Sequence, residues 1–132
     1  MQRCFAHFFR LKYYIPAILW SLFILFLSTT GGINLPPSWW DYISVDKVGH
    51  LVVYGLFTLL LLWGFTQNRT LPLANIKRNI AVGISIFYGI GMEVVQYTFF
   101  PGRFFEIPDI IANIIGSILG LYLFKRFFNK NF

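Results

Sequence analysis

The sequence predicts an all-α fold: a polytopic membrane protein built as a four-transmembrane-helix bundle with both termini cytoplasmic. Three observations predict it. The chain is 57% hydrophobic and 20% aromatic but only 12% charged, where a soluble domain is about a quarter charged. Four apolar stretches, about 13–30, 48–65, 80–100 and 107–124, each approach the ~20 residues that a helix needs to cross hydrocarbon. The basic residues are also sided. Arg3, Arg10 and Lys12 precede the first span, Arg69, Lys77 and Arg78 separate the second from the third, and Lys125, Arg126 and Lys130 follow the fourth. Four crossings put all nine on one face, and the positive-inside rule makes that face cytoplasmic.

At 132 residues the chain reads as a single transmembrane domain over 1–132, with no internal repeat. The net charge of +6 is accounted for by topology, so a nucleic-acid partner is set aside. Cys4 stands alone and excludes an internal disulfide. The N-terminal segment has the basic and apolar regions of a signal peptide. The run "LSTTGG" offers no small-x-small cleavage site, and removing the segment would leave an odd number of spans, so it reads as a retained helix.

Span one begins near Pro16, tolerated in a first turn. It carries Ala17, Ser21 and Ser28 at roughly helical spacing, a face suited to packing. It ends at Gly31-Gly32. The loop that follows, with Pro36-Pro37, Trp39, Trp40 and Tyr42, suits the aromatic belt at the membrane surface. Span two carries Asp46, His50, Tyr54 and Thr58 at steps of four, which places them on one stripe. Span three repeats the device with Gly89, Glu93 and Gln96. Span four does so with Asp109, Asn113, Gly116 and Gly120, and Gly116-x-x-x-Gly120 is a small-residue pair that permits close helix approach.

Depth adds the decisive pattern. Span two enters from outside, so Asp46 and Lys47 lie at the surface and His50 about 6 Å deeper; Glu93 lies about 10 Å below Phe100, and Asn113 about 6 Å below Asp109. Arg103 falls in the short connection "FFPGRFFEIPD". Three helices thus deliver ionisable groups to the outer leaflet. Such groups are costly in a membrane, face the bundle interior and are functional candidates by default. The competing explanation is a buried polar network that only sets helix register.

Three chemistries suit the set. A divalent metal could be held by Asp46, His50, Glu93 and Asp109, but Lys47 and Arg103 beside them weaken that reading, and no metal ligand or cofactor is assigned. A proton relay finds no titratable steps in the inner halves of the spans. An anionic guest suits best: Arg103 offers a planar fork for phosphate and Lys47 a point charge, with His50, Glu93 and Asp109 available for acid–base work. Tyr54, Gln96 and Asn113, together with Asp46, complete the ligand contacts. The sequence holds no Gly-x-Ser-x-Gly elbow, phosphate-binding glycine loop or Cys-x-x-Cys pair, and Ser28 reads as a packing serine.

The ordered fragments "DKVGHLVVY", "EVVQ", "PGR" and "DIIANIIG", with Leu27-Ser28 ahead of them, resemble the VanZ-like family of small bacterial membrane proteins. The pattern falls on Asp46, Lys47, His50 and Tyr54, on Glu93 and Gln96, on Arg103, and on Asp109, Asn113 and Gly116. The segment "FFEIP" is bulkier and more acidic than the family's small, polar stretch. The resemblance implies a multi-pass protein of the bacterial cytoplasmic membrane. The family's name comes from a member tied to resistance to the lipid-anchored glycopeptide teicoplanin, a link to glycopeptide tolerance that brings no settled reaction.

The expectation is therefore a polar pocket at the extracytoplasmic leaflet that binds an anionic envelope molecule, either a lipid head group or a lipid-linked cell-wall precursor. Two alternatives stand beside it: a membrane enzyme acting on such a lipid, and a structural or accessory subunit.

Overall fold

The computed structural model describes residues 11–30, 45–67, 74–101 and 105–128. Four α-helices fill them: α1 (Ile15–Thr29), α2 (Val45–Gln67), α3 (Ala74–Phe99) and α4 (Ile107–Phe127). A 3₁₀ turn, Lys12–Tyr14, leads into α1, and no strand occurs among the described residues. All four helices are long and apolar enough to cross a membrane, and the chain is a multi-pass membrane protein. Cys4, the aromatic loop with Trp39 and Trp40, and Arg3, Arg10, Arg69, Arg103 and Lys130 lie outside the described residues.

Two boundaries differ from the hydropathy reading. Helix α3 starts at Ala74, not near 80. Its first turns, "ANIKRN", are too polar for an apolar window yet contain no residue that breaks a helix. Helix α2 takes in Asp46 and Lys47, because one turn at a helix end can carry charge at the membrane surface. Pro16 and Pro108 occupy the first positions of α1 and α4, where proline's missing N–H costs no hydrogen bond. Lys125 and Arg126 close α4, where cations favour the negative end of the helix dipole.

The contacts fix the topology. Lys47 meets Asp109 and His50 meets Asn113, so α2 and α4 run parallel. Tyr54 meets Ser85 while His50 approaches Glu93, so α3 runs opposite to both. Helix α1 runs opposite to α2, since Trp20 donates to the Val53 carbonyl and Tyr14 packs edge-on against Phe65. The end of α1, the start of α2, the end of α3 and the start of α4 therefore share one end of the bundle.

Helices α2 and α4 form the most extensive contact, and glycine makes it possible. A Cβ on Gly116 would lie 2.9 Å from Leu51 Cα, and one on Gly120 would lie 3.1 Å from Gly55 Cα. The backbones themselves touch there, the close approach that small residues allow. Phe57, Leu61, Leu62 and Phe65 of α2 form the apolar core with Ala81, Phe124, Ala17 and Ile24. Helix α1 is the outlier. Leu19, Leu22, Phe23 and Phe26 are exposed, and on its inner side Ala17 and Ile24 are buried with Ser21 and Ser28 half-buried. Its inner face is tied through its own carbonyls: Tyr88 Oη donates to Ser21 O at 2.6 Å, and Gln96 Nε2 to Ser28 O at 3.5 Å.

Candidate functional site

The stripes read from the sequence converge at that shared end. Down α2 the stripe passes from exposed Asp46 through half-buried His50 to buried Tyr54 and Thr58, so its outer end opens away from the core. On α3, Gly89, Glu93 and Gln96 are all buried, as are Asp109, Asn113, Gly116 and Gly120 on α4. Four-residue spacing aims each set along one helix face, and parallel and antiparallel packing brings the three faces together.

Lys47 is the hub of the outer layer. Its Nζ lies 3.1 Å from Asp109 Oδ1 and 3.4 Å from Glu106 Oε2. The Asp109 side chain is only 7% exposed, so the ammonium compensates a carboxylate that would otherwise be buried alone. Asp109 also sits in the first turn of α4, where the helix dipole favours negative charge. Glu106, the residue before α4, is not among the site residues that the sequence pattern suggests. Its three-residue spacing to Asp109 is a signal that the two lie on one face, though not that both meet Lys47.

His50 is the hub of the inner layer. Its Nδ1 lies 2.9 Å from Asn113 Oδ1. That oxygen can only accept, so Nδ1 carries a proton against it. Nε2 is 3.9 Å from Asp46 Oδ1 and 3.9 Å from Asp109 Oδ2, beyond hydrogen-bond range. On the Nδ1 side, Glu93 Oε1 stands 4.0 Å away. Tyr54 stacks nearly parallel to the ring, centroids 6.2 Å apart, and holds its plane.

Two buried atoms in this layer have no hydrogen-bond partner among the described residues: Glu93 Oε1 and Asn113 Nδ2. Glu93 is 1% exposed. Gly89 shapes the same spot, since a Cβ there would fall 2.9 Å from Asn113 Nδ2 and 3.1 Å from Tyr54 Cε1. Around Lys47 and His50 the described carboxylates are Asp46, Glu93, Glu106 and Asp109, so acid outweighs base there.

Of the expected site residues, the structure brings together Asp46, Lys47, His50, Tyr54, Glu93, Asp109 and Asn113. Gln96 is buried just above Glu93 but gives its amide to Ser28 of α1, serving the helix tie. One polar pair escapes the sequence pattern. Ser85 and Ser117 share a 2.8 Å hydrogen bond, Ser117 Oγ donating on to the Asn113 carbonyl at 2.8 Å. Ser85 lies four residues before Gly89 on the same α3 stripe, and that extension was the available signal.

The comparisons with known proteins agree with the fragments that carry these residues. The VanZ/LLP1 family matches over residues 13–129. The chain belongs to the VanZ/LLP1 family. It is also 33% identical over 106 residues to an uncharacterised protein of Schizosaccharomyces pombe (strain 972), an alignment covering 78% of this chain. The chain spans 60% of the length of that curated relative. A yeast relative widens the family beyond the bacterial setting that the resemblance implied. No solved structure matches this VanZ/LLP1 chain significantly.

Proposed function

We propose that this protein binds the polar head group of an anionic membrane lipid or lipid-linked precursor at the cluster, which opens on the extracytoplasmic leaflet. The observation that carries the reading is the buried Glu93 oxygen without a partner among the described residues, beside a histidine whose Nε2 faces two carboxylates out of hydrogen-bond range. Helix glue is expected to satisfy its buried polar atoms; a site for a guest leaves some for the guest, and a hydroxyl or amine of the head group would donate to the Glu93 oxygen. Lys47, and Arg103 from the neighbouring connection, would meet the guest's negative charge. His50, Glu93, Asp109 and Asp46 would orient it, with Tyr54 and Asn113 holding the imidazole and Gln96 fixing the roof. A bacterial cytoplasmic membrane, a cell-envelope role and a link to glycopeptide tolerance belong to this proposal.

Native mass spectrometry of the protein released from mild detergent tests it, with Arg103→Ala and Lys47→Gln run beside the wild type. A co-purifying amphiphile lost in both variants, at equal folded yield, is expected and would give its class. Equal lipid complements in all three samples would remove the reading and favour a structural or accessory role.

One observation favours a second reading, acid–base chemistry on the same guest. Asn113 Oδ1 engages Nδ1 and leaves Nε2 without a hydrogen bond to Asp46 or Asp109, so a guest at that nitrogen could exchange a proton with it. His50→Gln would then abolish turnover of the identified amphiphile while leaving its binding in place.

A further inference from the structure

The gap between Asp46, His50 and Asp109 is itself specific. One donor atom from each of the three lies within 4.8 Å of the others. His50 Nε2 is 3.9 Å from each carboxylate oxygen, too far to donate a hydrogen bond to either. With Nδ1 held against Asn113, Nε2 and one oxygen from each of Asp46 and Asp109 face one another with no hydrogen bond between the ring nitrogen and either carboxylate.

Lys47 does not fill this gap. Its ammonium engages Asp109 Oδ1 and Glu106, leaving Asp109 Oδ2 turned toward the imidazole. In the sequence, Lys47 and Arg103 weighed against a metal; Lys47 engages the other oxygen of Asp109, and Arg103 lies outside the described residues. Behind the ring, Glu93 Oε1 lies 4.0 Å from Nδ1. It is unpartnered among the described residues and belongs to a side chain only 2% exposed. A ligating histidine whose other N–H is held by an oxygen, with a carboxylate behind it, is the usual outer shell of a protein-bound transition metal.

We infer that Asp46, His50 and Asp109 form a binding site for a divalent first-row cation of the Mn²⁺ or Zn²⁺ type. Carboxylate oxygen and imidazole nitrogen together suit these ions. Ligands about 2.1 Å from a tetrahedral ion lie roughly 3.4 Å from one another. The three donors need to draw in by only a fraction of that, and exposed Asp46 has room to do so. Three protein ligands leave a coordination position toward the open side. The site stands on its own geometry, independently of the head-group proposal. Where both hold, the cation is what lets an acidic cluster accept a phosphate.

The test is a Mn²⁺ titration of the full chain in mild detergent, without added lipid, following loss of the free-ion electron paramagnetic resonance signal. Wild type should bind one ion per chain, and Zn²⁺ should displace it. Asp46→Asn alters an exposed side chain and should leave folding intact while weakening Mn²⁺ at least about tenfold; His50→Gln should do the same. Absence of saturable binding by folded wild-type protein would overturn the site, as would unchanged affinity in folded Asp46→Asn. The readout uses the metal alone, so failure of the lipid proposal in mass spectrometry cannot be mistaken for failure of the metal site.

Discussion

Helices α2 and α4 run side by side, yet the two halves of their contact are built from different chemistry. In the half toward the core, Gly55, Gly116 and Gly120 let backbone meet backbone, and an added Cβ would collide with main chain. In the half toward the open end, Lys47, His50, Asp109 and Asn113 hold the helices through side chains, and an oxygen of Glu93 and the amide nitrogen of Asn113 have no partner among the described residues, as the Thr58 hydroxyl has none in the core half. A protein that needed only to keep these helices together could have continued the glycine seam. On the proposed reading, the glycine half supplies the fold and the polar half holds the guest.

That comparison can be broken or sharpened by substitution. The largest effect belongs to the glycine half. Gly116→Ala should lower unfolding free energy by about 3 kcal/mol, because the atom it meets is backbone and cannot rotate away; thermal unfolding in detergent would measure it. Lys47→Met comes next, leaving buried Asp109 without its cation. The full loss for a buried pair is about 3–5 kcal/mol, but Lys47 is 36% exposed, which reduces it to about 1–2 kcal/mol. An unchanged midpoint in the same unfolding assay would show that the Lys47–Asp109 pair adds nothing to stability. Ser85→Ala should cost about 0.6 kcal/mol, the typical worth of a hydrogen bond between membrane helices, and Ser117→Ala should cost less once Ser85 is gone, since only its bond to the Asn113 carbonyl of its own helix then remains, as a double-mutant cycle would show. Smallest is Thr58→Val. The buried Thr58 hydroxyl has no partner among the described residues, so an apolar isostere should leave the midpoint unchanged or slightly raised.

Much of this was legible in the sequence for one physical reason. Polar residues are rare in hydrocarbon, so the stripes of Asp46, His50 and Tyr54, of Gly89, Glu93 and Gln96, and of Asp109, Asn113 and Gly116 stood out at helical spacing. The helix starts were less legible: "ANIKRN" of α3 and Asp46-Lys47 of α2 are helical but not apolar, and hydropathy reports only the second property. Pair assignments were beyond periodicity. It places a residue on a face, not an atom against a partner, so the engagement of Lys47 with Glu106 and the diversion of Gln96 to Ser28 required three-dimensional packing. The Ser85–Ser117 pair was hidden because small hydroxyls pass for packing residues in an apolar helix.

The central claim is that the open end of the bundle is a site and not glue, and Glu93 decides it most directly. The unfolding midpoint of Glu93→Gln, measured in detergent beside the wild type and Gly116→Ala, is the measurement to make. If Glu93 is held for a guest, exchanging its carboxyl for an amide costs the fold little, and stability stays within about 1 kcal/mol of wild type. A loss as large as that of Gly116→Ala would show that Glu93 fastens the helices, and the polar end would then be glue after all.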